Sequence, residues 1–130
     1  MSMGGVQLDG ATRDRLVALD GRYDERAYAF VLASLEEVVG RLPRRRHVSG
    51  EELAEGCREL ALRLYGPLAK TVLEQWNIRK TRDFGEIVFN LLEVGVLAKD
   101  DADSRHDFDD LFDFTEVFET RYPWGGRSLA

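Results

Sequence analysis

The chain has 130 residues, of which 44% are hydrophobic and 32% charged, and its formal net charge is −6. This length fits one compact domain, and the single cysteine excludes an intrachain disulfide framework. No apolar run approaches the roughly 20 residues of a membrane-spanning helix, and the first residues lack the apolar core of a signal peptide. We therefore expect a soluble, single-domain protein of the cytoplasm that does not bind a membrane.

The net charge comes from one part of the chain. Residues 1–99 contain 15 acidic and 15 basic side chains, whereas residues 100–120, called the acidic segment below, contain nine acidic side chains and only Arg105 as a base. A loop of opposite sign, called the basic loop, lies earlier in the chain and contains Arg41, Arg44, Arg45, Arg46 and His47. Charge runs of this kind usually lie on solvated surfaces.

The chain begins with residues 1–8, which we expect to be disordered. A short helix is predicted over residues 12–19 and ends at Gly21. Asp24 is a predicted N-cap, because its side chain can accept a hydrogen bond from a free backbone N–H of the first turn. Apolar residues at helical spacing then predict an amphipathic helix over residues 24–40.

A capping box predicts the start of a third helix. Ser49 stands at the N-cap position and Glu52 three residues later, so each side chain can accept the other's backbone N–H. The buried face of this helix is predicted to contain Leu53, Cys57, Leu60, Ala61 and Leu64. Gly66 ends the helix, Pro67 opens a short fourth one, and Asn77 after it suits a left-handed backbone. The apolar face of the fourth helix contains Leu68, Val72, Leu73 and Trp76.

Thr81 is the predicted cap of a fifth helix, which ends at Gly95. Two alternatives remain for the chain beyond it. Residues 96–99 and 111–114 form a short β-hairpin before a helix from Thr115, or the acidic segment is an irregular arm held by its phenylalanines. Full disorder is disfavoured, because so many aromatic side chains give this segment apolar surface to bury.

The pattern as a whole predicts a mainly α-helical fold. Residues 9–120 are expected to form a single compact helical domain, followed by a flexible tail over residues 121–130. A short hairpin near residues 96–114 is the one β element that the pattern allows.

Residues 49–113 resemble a winged helix-turn-helix domain, since three helices are followed by the predicted hairpin. Residues 77–87 are similar to the entry of a recognition helix, and residues 91–99 to its exit into a wing, where Asp103-Ser104-Arg105 would stand. This resemblance implies a winged-helix-like centre and, as the alternative function, a nucleic-acid-binding regulator.

A second resemblance covers residues 19–118. The chain is similar to a family of short bacterial proteins known only as conserved hypothetical, through Arg22-Tyr23-Asp24, Ala27-Tyr28, residues 46–53, Gly66-Pro67 and residues 83–90. Asn77 departs from the glycine expected after the tryptophan, but asparagine tolerates the same backbone. No activity, cofactor or partner comes with that family, so the resemblance assigns no functional residue.

Two sets of residues are candidates for binding. For a protein partner, the acidic segment offers phenylalanines on a charged rim: Phe108, Phe112 and Phe114 with Asp109, Asp110 and Asp113. The same rings would instead pack on the protein's own helices if the segment is part of the core. For nucleic acid, the candidates are Arg44, Arg45, Arg46, Arg79, Lys80 and Arg82. The negative charge of the proposed wing disfavours nucleic acid without excluding it.

The sequence specifies no cofactor, metal or catalytic site. Asp101, Asp103 and Asp107 lack the glycine and glutamate that a calcium-binding loop needs, and the two histidines and one cysteine are too few for zinc. Cys57 lies on an apolar face, where a buried thiol is inert. We therefore expect a non-enzymatic protein that works by protein–protein contact, with an unidentified partner or with a second copy of itself as a homodimer.

Overall fold

The computed structural model describes residues 1–120, so the tail predicted for residues 121–130 lies outside the described residues. Within this range the fold is mainly helical, as the sequence predicts. The α-helices are α1 (Gly10–Leu19), α2 (Glu25–Arg41), α3 (Gly50–Tyr65), α4 (Ala69–Gln75) and α5 (Thr81–Glu93). The two strands are β1 (Ser2–Met3) and β2 (Leu97–Ala98). Two 3₁₀ turns, Gly66–Leu68 and Arg105–Phe108, and a π-helix, Glu116–Thr120, complete the described elements.

Side chains cap the helices largely where the sequence predicts. Asp24 accepts from the Arg26 N–H at the start of α2. The Ser49 capping box is confirmed, with 3.1 Å from Glu52 N to Ser49 Oγ and 3.0 Å from Ser49 N to Glu52 Oε1. Asn77 adopts φ +68°, which confirms the left-handed backbone between α4 and α5.

The cap of α5 differs from the prediction. Lys80, not Thr81, stands at the N-cap, and the carboxylate of Asp83 accepts from the backbone N–H groups of Arg79 (2.8 Å) and Lys80 (3.1 Å). Thr81 is turned inward and is only 1% exposed. Its hydroxyl is therefore used for a tertiary contact rather than for the helix end.

The core lies between α2, α3 and α5. Its fully buried members include Leu35 on α2, Leu53 on α3 and Phe84, Ile87 and Leu91 on α5. Burying such side chains contributes about 1.5–3 kcal/mol each, which makes this three-helix contact the main source of stability.

Two leucines predicted to be buried are exposed, Leu64 at 55% and Leu68 at 62%. The adjacent Tyr65 turns inward instead, where its ring packs against Trp76 with centroids 5.9 Å apart. Neighbouring helical residues point about 100° apart, and in this last turn the partly buried Tyr65, not Leu64, faces Trp76. Leu73 and Trp76 are buried as predicted.

The small sheet corrects two predictions. Residues 111–114 form no strand, and the partner of β2 is β1, with Ser2 opposite Ala98 and Met3 opposite Leu97. Residues 1–8 were expected to be disordered, but Met1 is 2% exposed. Its ammonium group donates to the Val48 carbonyl at 2.9 Å and pairs with Asp103 at 3.0 Å. The first residues therefore supply the strand partner that the hairpin alternative assigned to residues 111–114. The acidic segment follows the other alternative, an arm held by buried phenylalanines.

Phe108 anchors the acidic segment in a slot between two helical glycines. An added Cβ at Gly85 would lie 2.9 Å from Phe108 Cδ2, and one at Gly50 would lie 3.2 Å from Phe108 Cε2. Thr81 Oγ1 donates to the Phe108 carbonyl at 2.6 Å and accepts from Leu111 N at 3.1 Å. The ring thus reaches the core because both helices lack a side chain at this point.

Candidate functional site

The structure brings residues from both candidate sets to one surface pocket at the start of α5. This pocket, called the α5 pocket below, has a volume of about 590 Å³. It is lined by Arg79, Lys80, Thr81, Arg82, Asp109, Asp110, Phe112, Asp113 and Phe114. The cations proposed for nucleic acid and the aspartates proposed for a protein partner therefore share a single cavity.

The cations that line the pocket, called the cation wall below, come from the start of α5, where Asp83 holds the backbone of Arg79 and Lys80. Arg79 donates through Nε to Asn77 Oδ1 at 3.2 Å, and Arg82 Nε lies 3.7 Å from Glu86 Oε1. Lys80 is exposed and makes no ion pair with residues 1–120. Each of the three cations therefore keeps N–H donors for a ligand.

The aspartates that line the pocket, Asp109, Asp110 and Asp113, come from the acidic segment and are called the acidic wall below. Asp109 Oδ2 lies 3.0 Å from His106 Nδ1, while Asp109 Oδ1 is buried without a hydrogen-bond partner in the described chain. Asp110 adopts φ +48°, a left-handed backbone that is uncommon for a non-glycine residue. Asp113 Oδ1 accepts from Glu116 N at 2.9 Å. This wall carries three negative charges at a turn that the Phe108 anchor holds in place.

No ion pair crosses the α5 pocket between the described residues. Asp109 contacts His106 within the acidic segment, and the other ion pairs of this region run to Glu86, from Arg82 on the cation wall and from Arg105 at 2.9 Å. The formal charges of the two walls are equal and opposite, so the pocket is neutral as a whole but strongly polarised.

The phenylalanines differ in what they offer to a ligand. Phe108 is 1% exposed and does not line the pocket, so its assignment to partner binding is corrected. Phe114 reaches the lining but is 4% exposed, because it packs against Phe118 with ring centroids 5.1 Å apart. Phe112 is only partly buried and stacks on Phe114. Of the three predicted rings, Phe112 is the one with a usable face.

A polar network lies beside the cation wall, and the sequence analysis missed it. Tyr23 Oη donates to Asp83 Oδ1 at 2.6 Å, and burial together with this hydrogen bond raises the pKa of Tyr23. Asn90 donates to Asp20 at 2.9 Å. The spacing of Asp83, Glu86 and Asn90 places them on one face of α5, and that polar face was the available signal.

A neighbouring pair continues this network. Arg22 binds Asp20 through two nitrogens, at 2.9 and 2.8 Å, and these bonds hold the pKa of Asp20 well below its ordinary range. Arg22 also lies 3.3 Å from Glu86. The loop between α1 and α2 is thus tied to the α5 face that supports the cation wall.

The basic loop is not brought to the α5 pocket. Arg46 pairs with Glu52 at 2.7 Å, next to the α3 capping box. Arg44 and Arg45 are exposed and make no ion pair with residues 1–120. The six cations proposed for nucleic acid therefore divide into a loop set and a pocket set.

Residues 1–120 offer few side chains for catalysis or for metal binding. No cluster of three or more His, Cys, Asp or Glu residues within residues 1–120 is placed to hold a metal ion. Burial raises the pKa of the Cys57 thiol to about 12, so at neutral pH this thiol is protonated and unreactive. None of the helices in the same range is both long and apolar enough to cross a membrane.

Comparisons with known proteins assign no relative: no family model matches the chain, and neither the curated proteins nor the solved structures give a match.

Proposed function

We propose that the chain is a non-enzymatic protein–protein interaction module of the cytoplasm, and that its partner contact lies in the α5 pocket. The observation that carries this proposal is the meeting of three exposed cations, three aspartates and the partly buried Phe112 in one cavity. Protein interfaces combine aromatic anchors with polar and charged rims in this way.

The chemistry of the lining supports binding rather than catalysis. Thr81 supplies the one hydroxyl group among the described lining residues, and its Oγ1 already donates to one backbone group and accepts from another. The same lining contains no histidine or cysteine. Carboxylates and cations without an activated nucleophile suit recognition of a charged partner.

Affinity capture from the source cells tests this proposal. The tagged full chain is compared with the variant Lys80→Glu/Arg82→Glu, which reverses the cation wall. We expect a protein captured by the wild type to be lost from the variant, because its acidic contacts would meet like charge.

The matched control is Arg44→Glu/Arg45→Glu, which makes the same charge change in the basic loop. This control should still capture the partner. Equal capture by all three proteins would contradict the proposal, and circular dichroism confirms that each variant is folded.

The alternative function is the nucleic-acid-binding regulator that the winged-helix resemblance implies, although residues 111–114 form no strand and the predicted wing hairpin is therefore absent from residues 1–120. The exposed Arg44 and Arg45, which have no ion-pair partners within residues 1–120, favour it. The aspartates of the α5 pocket oppose it, because phosphates approaching Lys80 and Arg82 would also meet three carboxylates. Salt-sensitive binding of random duplex DNA that both double variants weaken would establish this alternative over the first proposal.

A further inference from the structure

The α5 pocket separates opposite charges without joining them. Arg79, Lys80 and Arg82 line it from the start of α5 and Asp109, Asp110 and Asp113 from the acidic segment, yet among residues 1–120 no cation of the first set lies within ion-pair distance of an aspartate of the second. Groups that fill the gap must therefore satisfy both signs at once. A ligand with a single sign of charge would be attracted by one wall and repelled by the other.

We propose that the α5 pocket binds a polypeptide segment that carries one carboxylate and one cationic side chain. The carboxylate contacts Lys80 and Arg82, and the cation contacts Asp110 and Asp113. This inference rests on the proposed function, because it specifies the chemistry of the partner at the same pocket.

The cation wall has the donors that a carboxylate needs. Arg79 uses Nε for Asn77, which leaves its terminal amino groups. Arg82 is engaged only at 3.7 Å with Glu86, and Lys80 has no ion-pair partner in the described chain. Charge-assisted hydrogen bonds to such donors are among the strong ones, particularly when a pocket excludes water.

The acidic wall has the acceptors that an ammonium or guanidinium group needs. Asp110 makes no ion pair with residues 1–120, and Asp113 uses one carboxylate oxygen for Glu116 N, which leaves the other. The buried Asp109 Oδ1 has no hydrogen-bond donor, so its charge adds to the negative potential of this wall. A cation is therefore favoured here over a neutral group.

The partly exposed ring of Phe112 favours a long basic side chain as the cation of the bound segment. This ring is partly exposed and lines the same pocket as the two charged sets. The aliphatic stem of lysine or arginine can pack on such a ring while its charged end reaches a carboxylate. This arrangement favours lysine or arginine as the cationic residue of the bound segment.

The carboxylate has two sources, a chain end or an acidic side chain, and two synthetic peptides separate them. The first, acetyl-Gly-Ser-Leu-Lys with a free carboxyl end, carries the terminal carboxylate. The second, acetyl-Ser-Glu-Leu-Lys-Ser-amide, carries an internal one. The C-terminal amide of the first peptide and a glutamine version of the second remove the carboxylate, and norleucine in place of lysine removes the cation.

Titration calorimetry with the full chain gives the test. We expect at least one of the two charged peptides to bind about tenfold more tightly than either of its charge-deleted versions. Lys80→Ala should reduce the advantage of the carboxylate, for which Arg82 remains, and leave that of the lysine. Asp110→Asn should reduce the advantage of the lysine, for which Asp113 remains, and leave that of the carboxylate. Asparagine tolerates the left-handed backbone of position 110, so this variant keeps the turn.

Lys99→Ala and Asp101→Asn make the same charge changes at exposed positions outside the α5 pocket and should leave both advantages intact. The proposal is overturned if neither peptide binds more tightly than about 1 mM, or if deleting either charge leaves its affinity unchanged. If this happens while the cation-wall reversal still abolishes partner capture, the pocket is a protein interface of different chemistry. If capture is also unaffected, the proposed function fails as well.

Discussion

Residues 1–99 and the acidic segment bury their apolar side chains in different ways. The first part uses amphipathic helices, whose faces of Leu, Ile and Val meet along their length. The acidic segment has only short turns, and it reaches the core through single rings such as Phe108 and Phe118. A segment without a regular apolar face can therefore belong to the core when its neighbours leave a slot for one ring.

The charges of the two regions also serve different ends. In the helical part, many carboxylates pair with arginines, as Glu52 does with Arg46, while Asp24 and Asp83 accept backbone N–H groups at helix starts. In the acidic segment, several aspartates accept backbone N–H groups at turns: Asp103 from Asp100 N, Asp107 from Ser104 N and Asp113 from Glu116 N. Short acidic side chains are suited to such turns. Part of the negative charge is thus a structural requirement of a chain that turns often.

Removal of the Phe108 ring should have the largest effect on stability, and it tests whether this ring anchors the acidic segment to the helical part. Phe108→Ala is expected to lower the free energy of unfolding by about 3–5 kcal/mol, because it empties a fully buried site. Denaturant unfolding followed by circular dichroism measures the change. Phe112→Ala removes the same ring from a partly exposed position of the same segment and should cost clearly less. Equal losses would show that the acidic segment is not anchored through Phe108.

Filling the slot around Phe108 should also lower the free energy of unfolding, but by a smaller amount. Gly85→Ala places a Cβ 2.9 Å from Phe108 Cδ2, and overpacking of this kind costs about 1–3 kcal/mol. Gly40 lies on α2 with open space around its Cβ position, so Gly40→Ala should instead stabilise by up to about 1 kcal/mol. Opposite signs for these two substitutions in thermal unfolding would establish the slot, and the same sign would argue against it.

The smallest expected effect is on the pH dependence of stability, and it comes from the carboxylates that pair with arginines in the helical part. Hydrogen bonds from Arg46 and from the Ser49 N–H lower the pKa of Glu52 from 4.5 to about 2. A lowered folded-state pKa contributes stability above the unfolded value, and this stability is lost as the pH falls through 4.5 toward 2. Glu52→Gln should therefore weaken the pH dependence of the urea midpoint in this window.

Glu51→Gln is the matched control for this pH dependence, because it removes the neighbouring carboxylate, which makes no ion pair within residues 1–120. It should leave most of the dependence in place. If both variants reduce the pH dependence equally, it arises from the general charge of α3 rather than from the Arg46–Glu52 pair.

The sequence predicts the features that depend on neighbouring residues. The capping box at Ser49, the cap at Asp24 and the left-handed Asn77 are local, and all are as predicted. The inward turn of Tyr65 at the end of α3 depends on Trp76 from a different helix, so a helical stripe alone assigned that position to Leu64.

The predictions that failed depend on contacts between distant parts of the chain. Short apolar strands carry no information about their partner, so the hairpin alternative paired residues 96–99 with residues 111–114, whereas β2 pairs with β1. The sequence alone predicts Thr81 as a helix cap, because it does not show that the Phe108 carbonyl accepts a hydrogen bond from the Thr81 hydroxyl. The same holds for the α5 pocket. The sequence indicates its charged residues as candidates, but it does not show that residues of opposite charge line one cavity.

The slot around Phe108 also has a consequence for how sequences of this fold can diverge. Gly50, Gly85 and Phe108 lie on three separate elements, and the space that one of them leaves is the space that another fills. We expect these three positions to change together, with a smaller side chain at 108 wherever alanine stands at 50 or 85. Asp107 shares this constraint, because an added Cβ at Gly50 would also lie 2.9 Å from its Cβ, whereas an exposed residue such as Asp101 is free to change independently.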